Sequence, residues 1–218
     1  MIETTPLNEQ IARELKEEIL TGKLQPDQKI SIEELAKKWG VSTTPVRDAV
    51  RTLEAAGFLV VSPRKSITVS SLDRKTFQDV FTLRIALECC AVELAIDQIP
   101  AEVVENASKL LQAAVEKFKA TGDYEHLVEV DNIVHQMILD YCDNKRLVSM
   151  MDDLHDLINW ARGIVIHHPK SYDEAAYEHI QILQYVKSRE KDLAVQAMRT
   201  HLMNSFERSR HYWNNISE

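Results

Sequence analysis

Only three residues, Gly40, Val41 and Ser42, separate one amphipathic helix from the next, and that short link constrains the fold more than any other stretch. The first helix of the pair opens at Ser31 with Glu34 three positions on, a capping box able to satisfy two otherwise orphan amides. Ile32, Leu35, Ala36 and Trp39 form its buried stripe, and Gly40 ends it. The second starts after Ser42 as N-cap and tolerates Pro45 in its first turn, where a missing N–H has no intrahelical partner. It places Val46, Ala49, Val50, Leu53 and Ala56 on one face before Gly57 stops it. Upstream, Ile11, Leu15 and Ile19 recur every four residues and Gly22 follows, which predicts a further helix; KLQPDQKI then reads as a loop. Downstream, Phe58–Val61 and Ile67–Val69 read as two strands around the tip Ser62–Pro63–Arg64–Lys65–Ser66. Helix, helix, short turn, helix, hairpin is the order of a winged helix-turn-helix.

A net charge of −8 argues against nucleic acid only until its distribution is considered. Residues 1–72 hold ten Lys/Arg against ten Asp/Glu, whereas the remainder holds sixteen against twenty-four. Within 37–65, Lys37, Lys38, Arg47, Arg51, Arg64 and Lys65 outnumber Asp48 and Glu54. A locally basic face binds phosphates even on an acidic protein, because salt screening confines the interaction to nearby charges. Ser42, Thr43 and Thr44 sit at a helix N-terminus, where free amides and the positive dipole end favour phosphate. Arg47 and Arg51, one turn apart, can reach a phosphate or a guanine edge, and Arg64 and Lys65 an adjacent groove. The plain alternative is a small helical domain whose arginines are merely solvated.

The stretch VSTTPVRDAVRTLEAAGFL resembles the recognition-helix signature of the GntR family of bacterial transcription regulators, and the resemblance covers roughly residues 5–72. It implies DNA contacts at Ser42, Thr43, Thr44 and Arg47, with a wing tip at Lys65 and Ser66. The chain departs from the family pattern in having Pro26–Asp27 where Pro-Gly is common, Ser66 where the wing commonly has glycine, and Glu33 where some relatives carry arginine.

Beyond residue 72 the period is helical throughout, with helices read at 74–97, 101–120, 123–142, 145–166, 172–188 and 191–214. Six helices with short connections predict an antiparallel bundle, so the fold class is mainly α: a winged helix over 1–72 and a helical bundle over 73–218. Asp131 and His135 lie i, i+4 on one helix face. His179 and His201 flank a turn near residue 190 by about eleven positions each, which sets them at nearly the same height in an antiparallel hairpin. One carboxylate and three imidazoles make a first shell for a borderline divalent ion such as zinc or nickel. His167 and His168 read as solvent-facing beside Pro169, and His126, His155 and His211 have no matching partners.

The length and position of the bundle resemble the FCD ligand-sensing domain of the FadR subgroup, in its shorter six-helix form. Many members of that subgroup carry the pattern D-x-x-x-H…H…H, which the resemblance places on Asp131, His135, His179 and His201. It also places Arg84 near an effector pocket, where it would clamp a carboxylate, although an i, i+4 pair with Glu88, weak if exposed, reads equally well from the residues. Asn144 matches a family asparagine and reads as a helix cap.

Three cysteines, two of them adjacent, do not make a disulfide framework and fit a reducing cytoplasm. No apolar run approaches the ~18 residues that span a bilayer, and the polar, acidic N-terminus is not a secretory signal. The expectation is therefore a cytoplasmic, dimeric regulator, by default a repressor, that binds a palindromic operator and is controlled by a small organic acid at the metal. It is not an enzyme on this reading. Its rivals are a metal-dependent hydrolase, which would need a general-base carboxylate that no motif supplies, and a regulator whose metal only staples the bundle.

Overall fold

The computed structural model describes residues 5–62, 66–71, 74–165 and 169–216, and the side chains of these apart from 74, 159–165, 169–171 and 210–216. The chain divides into two compact units, one ending at Asp73 and one beginning at Arg74.

In the first unit, α1 (Leu7–Leu20) buries Ile11, Ala12, Leu15 and Ile19. Helix α2 (Ile32–Trp39) is capped by Ser31, whose Oγ accepts the Glu34 N–H at 3.2 Å, and ends at Gly40 with φ 66°, a left-handed turn that glycine adopts without strain. Helix α3 (Thr43–Ala55) buries Val46, Ala49, Val50 and Leu53. Ala56 is its C-cap and is exposed, so the stripe stops one turn earlier than the sequence indicated. Ser42 stands at the N-cap, but its side chain makes no capping hydrogen bond.

The hairpin strands β2 (Leu59–Val61) and β3 (Ile67–Val69) pair antiparallel, with Leu59 opposite Val69 and Val61 opposite Ile67. The segment read as a loop contributes a further strand, β1 (Lys29–Ile30), which pairs on the other edge of β3 to give the order β1-β3-β2. Two residues carry no alternation to recognise. The turn before β1 runs through Asp27 at φ 62°, and its N–H donates to the Val69 carbonyl at 3.0 Å. Aspartate is among the few non-glycine residues that tolerate this conformation, so the usual glycine is dispensable here.

Among the described residues the regular elements of the second unit are all helices: α4 (Arg74–Ala95), α5 (Ala101–Thr121), α6 (Glu125–Val130), α7 (Ile133–Tyr141), α8 (Lys145–Val165), α9 (Pro169–Ser188) and α10 (Lys191–Ile216). That is seven helices rather than six, because the segment read as one helix over 123–142 breaks at Asp131–Asn132. Asn132 has ψ −9°, and the Asp131 N–H bonds back to Val128 rather than to the residue four before it. Asp and Asn side chains compete for backbone groups and weaken a helix where two are adjacent. The break turns Val134, His135, Met137 and Ile138 of α7 into the core. Asn144 caps α8, its Oδ1 accepting the Leu147 N–H at 3.1 Å.

Helix α10 packs most extensively on α4 and α9, around a core that includes Val92, Ile96, Leu111, Val134, Ile182, Met198 and Leu202. Cys89 and Cys142 are buried, Cys90 is exposed, and all three are free thiols. No helix among the described residues is long and apolar enough to cross a membrane.

The turn between α9 and α10 does more than connect. Arg189 adopts φ 60° and donates through Nη2 to the Ile99 carbonyl at 2.7 Å and through Nη1 to the Ile96 carbonyl, closing the C-terminal end of α4. Charged donors to otherwise orphan carbonyls are worth more than neutral ones. Replacing Arg189 with alanine is expected to lower the unfolding free energy by about 1–3 kcal/mol, read as a lower urea midpoint with unchanged helical circular dichroism before the transition.

Candidate functional site

Two groups of residues carry chemistry, one on each unit. On the first, Ser42, Thr44, Arg47 and Arg51 are exposed along one end and flank of α3, and Thr43 is half-buried. Arg51 lies 3.8 Å from Asp48, with 78% of its side chain exposed, a pairing too weak to hold it against a phosphate. Lys38 is differently placed. Its ammonium, with that of Lys23, is bonded to Glu18 of α1, which pulls Glu18 below the usual carboxylate range against the opposing effect of burial. Ser66 is exposed, and its hydroxyl meets that of Ser62 at 2.7 Å across the base of the hairpin turn. Arg64 and Lys65 lie outside the described residues.

On the second unit, His135 of α7, His179 of α9 and His201 of α10 come together in the core. Nε2 of His179 is 3.1 Å from Nε2 of His135 and 3.1 Å from Nε2 of His201. The equal spacing of His179 and His201 from the α9–α10 turn puts them at one level, as their sequence positions indicated. Asp131 does not join them in the same way. Its Oδ1 is 4.0 Å from Nδ1 of His179, the other ring nitrogen, and among the described residues only the three histidines converge as donors. The reason is the helix break: Asp131 ends α6 and His135 belongs to α7, so the two do not share one regular helix face.

The outer nitrogens are engaged by carboxylates. Nδ1 of His135 hydrogen-bonds Glu88 Oε2, and Nδ1 of His201 lies 2.7 Å from Glu178 Oε2. Glu88 also accepts from Arg84 Nε at 2.6 Å. The i, i+4 pairing open from the sequence is made, and both side chains are 3% exposed, so it is part of the core rather than a surface pair. Glu178 binds Asn204 at 2.7 Å and both terminal nitrogens of Arg208 at 2.9 Å. Burial holds His135 and His201 down at about 4, outweighing their carboxylate neighbours, so both rings are neutral at pH 7. Burial opposes ionisation of Glu178, but bonds from His201, Arg208 and Asn204 prevail and bring it to about 2. Glu88 is likewise held below the usual range against burial by His135 and Arg84.

This donor set fits a metal. Imidazoles that hydrogen-bond a carboxylate through Nδ1, as His135 and His201 do, turn the Nε2 lone pair inward, and two such lone pairs cannot satisfy one another. With the protons of those two rings on Nδ1, a neutral trio has at most one inward proton, that of His179. A borderline divalent ion satisfies all three nitrogens at once.

Beside the cluster lies a cavity of about 250 Å³ lined by Arg84 and His135, by the polar Glu129, Asn132, Gln136 and His155, and by apolar residues that include Leu139 and Met151. His155, which had no partner by sequence spacing, thus faces the same space as His135. His126 instead pairs with Glu129 at 2.7 Å. His167, His168 and the side chain of His211 lie outside the described residues. The residues that spacing could not find are Glu88, Glu178 and Arg208; the only sequence signal is that Glu178 adjoins His179 and Glu88 follows Arg84 by one turn.

A model of the FCD domain matches residues 79–204, and one of the bacterial regulatory proteins of the gntR family matches residues 7–69. The chain belongs to the GntR family, in its FCD-domain branch. It is accordingly a transcription regulator with a DNA-binding helix-turn-helix and a ligand-binding domain. The regulator is 28% identical over 204 residues to the Escherichia coli (strain K12) HTH-type transcriptional repressor GlaR, covering 88% of this chain and 90% of that one. The fold is similar to that of E. coli McbR/YncC, with TM-score 0.73, 21% identity, and coverage of 96% of this chain and 100% of that one. A metal-free FCD domain of TM0439 superposes with TM-score 0.57 at 18% identity, covering 67% of this chain and 99% of that one.

The depressed histidines make a sign-definite prediction for the regulator. The unfolded chain takes up protons at His135 and His201 near pH 6.5, whereas the folded domain resists until about pH 4. The unfolded state therefore binds more protons between these values, and stability is lost as pH falls through that window. Chemical denaturation in chelator at pH 7.5, 6 and 5 is expected to give steadily lower midpoints, with Glu178 adding to the loss only below about pH 4.5.

Proposed function

We propose that this regulator is a dimeric repressor whose hold on a palindromic operator is controlled by a small organic acid bound beside a divalent metal in the FCD domain. The observation that carries this reading is the convergence of three buried imidazoles, with Nε2 of His179 3.1 Å from Nε2 of both His135 and His201, next to a solvent-reachable cavity. His135, His179 and His201 hold the ion on this reading, with Asp131 beside them as the fourth residue. Zinc and nickel suit the imidazole-rich set. When bound, the ion supplies a Lewis-acidic centre that attracts a carboxylate. Asn132, Gln136 and His155 offer hydrogen bonds to an acid entering the cavity, and Arg84, although bonded to Glu88, adds positive charge at its floor.

Ser42, Thr43, Thr44 and Arg47 are the proposed phosphate and base contacts, supported by Arg51, and by Arg64, Lys65 and Ser66 of the wing. A single recognition helix reads few base pairs, so two-fold symmetry doubles the contacts and fixes half-site spacing. The name of GlaR supports the sign of repression, and the regulators among the relatives support a role without turnover. Such a protein acts where the DNA is, in the cytoplasm.

Two experiments test the two halves. Arg47→Ala is expected to weaken operator binding by about 1–3 kcal/mol with the fold intact, in a gel-shift titration at fixed salt. His179→Ala is expected to lose most bound metal and the response to effector while still binding operator, and adding His201→Ala should cost little further metal affinity. Full metal occupancy of the double variant, measured by elemental analysis, contradicts the ligand assignment; an intact effector response without metal contradicts the mechanism.

A further inference from the structure

Resting on the metal reading above, we infer that Glu88 and Glu178 are positioning residues that hold His135 and His201 with their Nε2 lone pairs aimed at the cluster centre before any ion arrives. The two carboxylates reach the site by unrelated routes and end in the same arrangement. Glu88 comes from α4, one turn after Arg84, and gives Oε1 to Arg84 and Oε2 to Nδ1 of His135. Glu178 comes from α9 and gives Oε2 to Nδ1 of His201, while Arg208 of α10 donates to both of its oxygens. In each case the chain is arginine, carboxylate, imidazole.

The arginines settle the direction of the hydrogen bonds. A guanidinium only donates, so it keeps its partner carboxylate an acceptor, and that carboxylate demands the proton of Nδ1. Nη2 of Arg84 also lies 3.4 Å from Nε2 of His135, where a donor again faces a lone pair. Both rings are thereby fixed as the Nδ1–H tautomer, the form in which Nε2 can bind a metal. Nδ1 of His179 faces the carboxylate of Asp131, with 4.0 Å to its Oδ1.

A purely structural role for these ion pairs makes a different prediction, because it leaves the tautomers free. Glu178 is the better test, since its side chain is 19% exposed while Glu88 and Arg84 are sealed in the core. The full-length protein, labelled with ¹⁵N-histidine and stripped with chelator, is examined at neutral pH by long-range ¹H–¹⁵N correlation. Zinc affinity is read in parallel against a chelating indicator, and folding by thermal melting. Wild type is expected to show His135 and His201 as Nδ1–H. Glu178→Ala should move His201 toward Nε2–H, leave His135 unchanged, and weaken zinc roughly 10–100-fold. Glu178→Gln, which keeps an acceptor oxygen, should recover part of that loss.

An Nδ1–H His201 in a folded Glu178→Ala protein, or unchanged zinc affinity in it, would overturn the positioning role. So would an Nε2–H His201 in the metal-free wild type. Should Glu178→Ala fail to melt cooperatively, Glu178→Gln carries the same test, with a tautomer and affinity identical to wild type in Arg208→Ala as well counting against the role. Failure of the wild type to take up zinc, nickel or manganese overturns the metal reading instead, and the tautomers then still decide whether the carboxylates direct the rings.

Discussion

The helical domain is organised around a polar cluster that it has removed from water. Arg84, Glu88, His135, His179 and His201 are all buried, against a core dominated by Val, Ile, Leu, Ala and Met. Buried ionised groups persist only when paired and hydrogen-bonded, and here the one cation and one anion at the centre neutralise each other within hydrogen-bond distance. The surrounding helices must bring four separate elements, α4, α7, α9 and α10, to one point for this to hold. Helix packing and site chemistry are thus a single requirement: the same register that buries Met198 and Leu202 buries His201 as well.

The DNA-binding unit was largely legible because its signals are local. Caps, glycine stops and the three-residue link each act within a few positions, and they located α1, α2, α3 and the hairpin. Strand β1 was missed because two residues show no alternation and are defined only by pairing with β3. The same locality explains the α9–α10 hairpin, where counting from the turn placed His179 and His201 level.

Elsewhere the limits were tertiary. Residues 123–142 keep an apolar period across Asp131 and Asn132, so periodicity alone could not show that the helix is interrupted there. Asp131, at that interruption, has its Oδ1 4.0 Å from Nδ1 of His179. The Arg84–Glu88 pair was visible as i, i+4, but whether such a pair faces solvent or core depends on which helices cover it, and here α7 and α10 do. Glu178 and Arg208 lie thirty residues apart and no short-range rule links them.

Helix α10 sets His201, Asn204 and Arg208 along one side, at steps of three and four residues, all against the single side chain of Glu178. With about 100° of rotation per residue, inserting or deleting one position between 201 and 208 would swing the later contacts away from Glu178. The helix therefore behaves as a phase-locked rod over this stretch, tolerant of changes in composition on its outer side but not of changes in length. A change of length is barred from the seven-residue interval that keeps His201 and its anchor in step.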